Sequence, residues 1–354
     1  MRARLAELAA RHGLELVGVT DALPLPDDRR RMEASVAAGR MGRMDWMGGD
    51  RPGRATDPRA LDASARSVIV VAAPYAGADR AAWDPEPAAL RRALAPVLAG
   101  APAEPAGRIA RYALGTDYHG ALRRRLEALA ADLRSSGLPA GKVAYVDDRP
   151  LAERALAARA GLGWIGKNTN LLTHARAGSW VFLGAILSSA DLPTDEPIRS
   201  SCGGCTRCLV GCPTGALVGP RTIDAGRCIS YLTIEHPGTL EGWEAAAIGD
   251  WIFGCDICQE VCPVNADADD DGPLLVPLLP LIEWLLPMGT RAFERAVGES
   301  ALRRAGRHRL LRNALAALGN AGPPTPEATR LLERAAADRR DEVRAQARSV
   351  LAPG

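Results

Sequence analysis

All eight cysteines of this 354-residue chain lie between Cys202 and Cys262. The first run, CGGCTRCLVGCP, sets Cys202, Cys205, Cys208 and Cys212 at the spacing Cys-x2-Cys-x2-Cys-x3-Cys-Pro. Bacterial ferredoxins hold cubane iron–sulfur clusters with that spacing, and the fourth cysteine serves the other cluster of a pair. The second run, CDICQEVCP, supplies Cys255, Cys258 and Cys262 and is one cysteine short; Cys228 is the only spare. The spacing therefore assigns Cys202, Cys205, Cys208 and Cys262 to one [4Fe–4S] cluster, and Cys212, Cys228, Cys255 and Cys258 to a second. A disulfide framework would need an oxidising compartment, to which nothing in the chain points. Zinc takes paired Cys-x2–4-Cys knuckles, not a triple run closed by Cys-Pro. Gly203, Gly204 and Gly211 let backbone amides approach cluster sulfides and tune their potential.

Four further stretches carry candidate chemistry. Residues Lys142–Val146 read as a strand that delivers Asp147 and Asp148 at its end. Ligands of open α/β sheets bind at that end, and a carboxyl beside a cofactor can be desolvated into a proton donor. The competing reading is a cap for a helix beginning near Pro150. In GLGWIGK (161–167) Asn168 follows the lysine, so the phosphate-loop order is broken. Gly161, Gly163 and Gly166 satisfy Gly-x-Gly-x-x-Gly, but they follow a predicted helix and the next acid is Asp191, which excludes a dinucleotide site. The three glycines suggest a close approach of backbone to a ligand. DYHGAL (117–122) resembles the Asp-x-His-x-x-Gly of one cobalamin-binding fold, with Leu122 in the glycine place. No lower-face histidine ligand is expected from it, and His119 reads first as a helix-start residue. Arg303, Arg304, Arg307, Arg309 and Arg312 have no acid among them. They form either a solvated helix face or, with a nucleic-acid substrate, a phosphate-binding stripe.

The elements that must position these groups follow from periodicity and breakers. Residues 2–12 read as an amphipathic helix, Leu14–Val19 as a strand and 28–42 as a helix, while GGDRPGRATDP (48–58) reads as a loop. Ser67–Ala73, SVIVVAA, is apolar on both faces and predicts a buried strand. Helices are predicted over 88–99, His119–Leu133 and 151–160, and a strand over Trp180–Leu187. This alternation argues an α/β domain over 1–193. The cluster domain takes 194–270, with ADADDDG (266–272) a polar linker, and the last domain, 271–354, turns helical and Arg-rich from 274. There RRAGRHRLLRNALAALGNAG and DEVRAQARSVL resemble turns of a HEAT-like repeat. The whole is an α+β multidomain chain. Its 47% apolar and 24% charged residues are an ordinary soluble composition, and a net charge of +2 is too small to argue nucleic-acid binding by itself. No secretory pattern and no long uncharged apolar run is found, so a cytoplasmic protein with no membrane partner is expected.

In combination these stretches resemble the epoxyqueuosine reductases, iron–sulfur and cobalamin enzymes of queuosine biosynthesis. The match is carried by RATDP (54–58), YALGTDYH (112–119), YVDDRPLAERALAARAGLGWIGKN (145–168), GSWVFLG (178–184), the eight cysteines, RCISYLTIEH (227–236) and RHRLLRNALAALGN (307–320). The resemblance implies a nitroreductase-like cobalamin domain, a ferredoxin-like domain with two [4Fe–4S] clusters and a HEAT-like tRNA-binding domain. It implies reduction of epoxyqueuosine to queuosine at the wobble position of a tRNA. Asp147 matches the proton donor. Arg54, Tyr112, Asn168, Leu171, Leu183 and Ser230, with Asp147, match cobalamin-lining positions; Ser230–Glu235 lie where the cluster domain meets cofactor and tRNA. Glu235 and the five arginines of 303–312 would meet the tRNA.

The chemistry is consistent with that resemblance. Opening the epoxide and losing water consumes two electrons, which a pair of one-electron clusters fed by an external donor can relay to cobalt. The leaving oxygen needs a proton, the task of Asp147. The anticodon loop is single-stranded, so its modified base can be splayed into a pocket, and arginines on phosphates supply affinity without reading sequence. A monomer is expected. Two competing classes are a corrinoid reductive dehalogenase, usually exported behind a twin-arginine signal that this N-terminus lacks, and an iron–sulfur electron-transfer subunit, which leaves Asp147 without a task.

Overall fold

A computed structural model describes residues 2–99, 105–141, 143–268 and 272–352. The strand Ser67–Pro74 is central to a four-stranded sheet ordered Leu16–Asp21, Ser67–Pro74, Val181–Ser188, Ala144–Tyr145. Its apolar run has no polar face because both faces are covered. Ile69, Val71 and Ala73 pack with helices Arg2–Arg11 and Tyr118–Ser135, while Val68 and Val70 pack with helix Glu153–Arg159.

Every pairing in this sheet is antiparallel. The helix–strand alternation thus folds as layered α+β, not as a parallel α/β unit, since apolar periodicity carries no information on strand direction. Several boundaries also differ from expectation. The first strand starts at Leu16 and runs to Asp21. The helix predicted over 28–42 spans Pro26–Ala37, and Gly39 and Gly42 then take φ of +67° and +59°. The 48–58 loop contains a helix, Arg51–Ala55, and a 3-10 turn, Pro58–Ala60. Pro52 and Pro58 sit in their first turns, where the missing N–H costs nothing. The helix predicted over 88–99 is split at Leu94 into Ala89–Ala93 and Ala95–Leu98, with Pro96 in the first turn of the second piece. The strand predicted over 142–146 narrows to Ala144–Tyr145, and Lys142 lies outside the described residues.

A second sheet sets Ala106–Ile109 between Trp251–Phe253, parallel to it, and Leu274–Pro277, antiparallel. Leu274–Pro277 was expected to be helical; pairing with a strand far back in the chain overrides its local preference. Of the predicted linker 266–272, residues 269–271 lie outside the described residues. Helices Leu278–Leu285, Thr290–Val297, Gly306–Asn320, Pro326–Ala335 and Asp341–Leu351 follow. Helix Gly306–Asn320 is buried from Leu310 to Leu318, so it is a core helix without an open face. Its core takes in Leu90, Leu94, Val97 and Ile109 from the N-terminal half. Among the described residues no helix is long and apolar enough to cross a membrane.

Candidate active site and cluster loops

The eight thiols are free and fall into two neighbourhoods. Cys208 lies within electrostatic reach of Cys202 and Cys262, and Cys262 of Cys202 and Cys205. Cys228 faces Cys212; Cys255 faces Cys228 and Cys258; Cys258 faces Cys228 and Cys212. The two sets come within electrostatic reach of each other at Cys258 and Cys208. Burial, with the charges of its neighbours, pushes the Cys258 thiol up to about 12, and burial likewise raises Cys208, Cys228, Cys255 and Cys262. Cys212 goes the other way: burial is outweighed by the Thr214 hydroxyl, 3.5 Å away, and nearby backbone amides, so its thiol is held low. The raised thiols keep protons at neutral pH that metal must displace. Among the described residues no three His, Cys, Asp or Glu side chains close on a single-ion site.

The hairpin Trp164–Ile165/Leu171–Leu172 straps both cysteine loops. The Lys167 amide donates to Cys202 Sγ at 3.4 Å, and Lys167 Nζ donates to the Gly203 and Cys205 carbonyls at 2.7 and 2.8 Å. Asn168 Nδ2 donates to the Cys258 carbonyl at 3.2 Å. Glycines of this stretch allow close packing of the chain on itself. A Cβ on Gly163 would sit 2.2 Å from the Leu172 carbonyl oxygen, and one on Gly161 2.5 Å from that of Glu196. Asn168 and Leu171 are buried; Leu183 is half-buried in the same apolar cluster as Leu171. Ser230 is half-buried, and its amide bonds the Cys228 thiol.

Asp147 follows the edge strand at a φ of +52°, a left-handed conformation that costs a non-glycine residue about 1–2 kcal/mol. Its Oδ2 accepts from the Tyr118 hydroxyl at 2.6 Å, and its N–H donates to Glu153 Oε1 at 3.1 Å. His119 Nε2 is 3.8 Å from the same carboxylate, too far for a hydrogen bond; its Nδ1 sits 2.7 Å from Asp117, the cap of helix Tyr118–Ser135. Tyr118 stacks on Phe182 at 4.1 Å, with half-buried Tyr112 edge-on to it at 6.3 Å. Burial, and then the charge of Asp147, raise the Tyr118 phenol far above its ordinary value, so at neutral pH it stays a donor. The same two causes, burial first, raise Glu153 to about 8. Neither aspartate is a helix cap. The helix starts at Glu153 behind Ala152, while Asp148 accepts the Val146 N–H at 3.2 Å and pairs with Arg123 at 2.6 Å. Because the strand before Asp147 is antiparallel to its neighbour, the ligand rule for open parallel sheets does not explain the site. Exposed Arg54 pairs with Asp50 at 3.6 Å, and the next carbonyl, Ala55, accepts the Ala152 N–H at 2.7 Å.

The arginine run splits. Arg307 is buried: it donates to the Leu285 and Leu286 carbonyls at 2.9 Å each and to Asp338 at 2.6 Å. Arg312 is 0% exposed and donates to the carbonyls of Leu232, His236 and Gly238 at 2.7, 2.9 and 2.6 Å. Burial, reinforced by Arg309, lowers it to about 10. Neither can meet a phosphate; they hold the carbonyl ends of helices Leu278–Leu285 and Ile229–Ile234. Arg303 and Arg304 are exposed and Arg309 is half-buried. Arg304 donates to Glu235 at 2.5 Å; burial lowers it, but Glu235, with the more distant Asp147 and Tyr118, raises it more. Tyr118, Glu153 and the nearness of Arg304 to Asp147 escaped the sequence reading, and only the position of Tyr118 beside His119 offered a signal.

Residues 201–265 match the 4Fe-4S double cluster binding domain family, and residues 55–148 match epoxyqueuosine reductase QueG, DUF1730. The chain is 40% identical to the epoxyqueuosine reductase of Xanthomonas campestris pv. campestris, across 90% of this chain and 86% of that one. Its fold is similar to an epoxyqueuosine reductase solved with a tRNA-Tyr epoxyqueuosine-modified stem loop, with a TM-score of 0.83 and 29% identity over 99% of this chain and 89% of that one. It is also similar to the Bacillus subtilis epoxyqueuosine reductase solved with its aspartate catalytic loop swung out of the active site, at a TM-score of 0.81 and 28% identity over the same shares. With that identity sustained over nine-tenths of its length, the chain belongs to the epoxyqueuosine reductase family and contains a 4Fe-4S double cluster binding domain.

Proposed function

We propose that the protein reduces epoxyqueuosine to queuosine at the wobble position of a tRNA, with Asp147 as proton donor. The observation that carries this reading is Asp147 itself: an exposed carboxyl in a left-handed backbone, hydrogen-bonded to Tyr118 and within electrostatic reach of Arg304. Cys202, Cys205, Cys208 and Cys262 would hold one [4Fe–4S] cluster, and Cys212, Cys228, Cys255 and Cys258 the other. Tyr112, Leu183 and Ser230 stay half-buried beside buried neighbours, which fits a broad apolar-faced group such as cobalamin; Asn168 and Leu171 back that surface from within. When bound, the clusters and the cobalamin supply the two electrons and the reactive metal.

The chain's own groups do the rest. Tyr118 holds Asp147 Oδ2, so the transferable proton belongs on Oδ1, from which it passes to the oxygen leaving carbon. Arg303, Arg304 and Arg309, with Glu235, would line the path of the anticodon loop, whose unpaired bases can leave the stack. Residues 1–193, 194–270 and 271–354 divide this labour as a nitroreductase-like cofactor part, a ferredoxin-like part and a HEAT-like tRNA part, although one sheet draws a strand from each. The electrons come from an external donor, and the protein acts as a monomer in the cytoplasm.

Anaerobic turnover of tRNA bearing epoxyqueuosine, followed by nucleoside analysis, tests the reading: queuosine is expected, and its absence with cluster-replete, cobalamin-loaded protein refutes it. A visible spectrum with added cobalamin separates an electron-transfer subunit, which would bind none. Cys228→Ala should lose about half of the cubane iron while staying soluble; a full complement would break the ligand assignment.

A further inference from the structure

Among the described residues only Asp147, Thr169 and Arg221 are non-glycines with positive φ. Such a conformation costs about 1–3 kcal/mol and persists only where its surroundings hold it. The flanks of the loop are pinned by the Val146 N–H on Asp148, by Asp148 on Arg123, and by the Ala152 N–H on the Ala55 carbonyl. Tyr118 holds the carboxyl of Asp147 but not its backbone. The bond on the backbone of residue 147 is the one from its N–H to Glu153 Oε1, at 3.1 Å.

Glu153 is the first residue of helix Glu153–Arg159. A glutamate in that position ordinarily stabilises the helix as an exposed carboxylate near its positive end. This one is largely covered: burial and then the neighbouring Asp147 charge raise it to about 8, against its own N–H, the Asp147 N–H bond and the charge of Arg154, which lower it. At neutral pH it is chiefly the neutral acid. A neutral carboxyl still accepts an N–H bond through its carbonyl oxygen.

We propose that Glu153 is a positioning residue for the reaction: its carboxyl catches the Asp147 amide and so keeps the Asp147 carboxyl at the Tyr118 hydroxyl. The inference rests on the reading of Asp147 as proton donor. It gives the loop two catches, one on the backbone and one on the side chain. Losing the backbone catch lets the carboxyl drift while the cysteine loops and the buried arginines stay in place.

The test compares Glu153→Ala, Glu153→Gln and Asp147→Asn in protein carrying its clusters. Glu153→Ala should lower kcat by about 100-fold, the cost of roughly 1 Å of misplacement, with KM for tRNA, cubane iron and the cobalamin spectrum unchanged. The Asp147 amide should also exchange its hydrogen faster than in the parent. Glu153→Gln keeps an acceptor oxygen in a neutral group and should recover most of the rate and of the amide protection. Parent-like kcat and protection in Glu153→Ala would overturn the proposal. So would a Glu153→Gln as impaired as Glu153→Ala, since the acceptor would then not be what residue 153 supplies. If Glu153→Ala fails to fold, Glu153→Met, of similar length and without an acceptor, takes its place. Normal turnover by Asp147→Asn would sink the proton-donor reading alone, and the amide protection would still report whether Glu153 holds the loop.

Discussion

The charged side chains around Asp147 and those on helix Gly306–Asn320 look alike in sequence and behave oppositely in the fold. Asp147 is 65% exposed at its side chain and accepts one phenol, with His119 and Arg304 near it but not bonded to it. Arg307 and Arg312 are buried, and all three side-chain nitrogens of each are committed to carbonyls, to Asp338 or to Asn313. A polar group whose bonding capacity is spent inside the chain is architecture; one with capacity left, held in a strained backbone, is available to a substrate. The contrast separates the two ends of the arginine run as well. Arg303 and Arg304 lie on the open side of the division, although nine residues at most part them from Arg312.

The largest expected effect is on rate. Asp147→Asn keeps the size of the side chain and tolerates the left-handed backbone equally well, so clusters, cobalamin and tRNA should bind as before. Turnover should fall by about 100- to 10,000-fold, the usual worth of a positioned acid. Asp148→Asn should remain active, because Asp148 spends its oxygens on Val146 and Arg123. A dead Asp148→Asn beside a working Asp147→Asn would reverse the assignment.

Next is a loss of stability at the other pole. Arg312→Ala strands the buried carbonyls of Leu232 and His236 and frees that of exposed Gly238 to water, and buried unpaired groups cost about 1–3 kcal/mol each. The denaturation midpoint should drop sharply. A variant as stable as the parent would show that these carbonyls find water and that Arg312 does not hold the Leu232–Gly238 turn.

A smaller change should follow from Arg303→Ala with Arg304→Ala. Stability should barely move, whereas tRNA affinity should weaken and the slope of log affinity against log salt should flatten by about 2, roughly one unit per lost phosphate contact. An unchanged slope would move both residues to the solvated-face class.

The smallest effect is a drift of stability with pH. Folding raises Glu153 from 4.5 to about 8, so between those values the folded chain keeps a proton that the unfolded chain has released. Its contribution is full below about pH 4.5 and is lost as pH rises toward 8. Glu153→Gln does not titrate, so its Tm should gain on that of the parent by roughly a few degrees from pH 5 to pH 8. A difference constant with pH would mean that Glu153 ionises like an exposed glutamate.

By itself the sequence determined whatever short-range spacing encodes. The Cys-x2-Cys-x2-Cys-x3-Cys-Pro run marks the double cluster region because its ligands sit on loops only a few residues long. Ser67–Ala73 announced a strand covered on both faces because no polar residue interrupts its apolar run. The helix Tyr118–Ser135 was legible within two residues at each end, as His119–Leu133, from its start signal and apolar spacing, while its Asp117 cap came only from the structure. Only the tertiary structure decided the direction of the strands, the left-handed backbone of Asp147 and which arginines turn inward. Arg312 finds its carbonyl partners 74 to 80 residues earlier in the chain, and Asp147 meets its phenol 29 residues away. Bonds over such separations leave no periodic trace in a sequence; they exist because burial brings the groups together and makes an unpaired donor or acceptor too costly to leave.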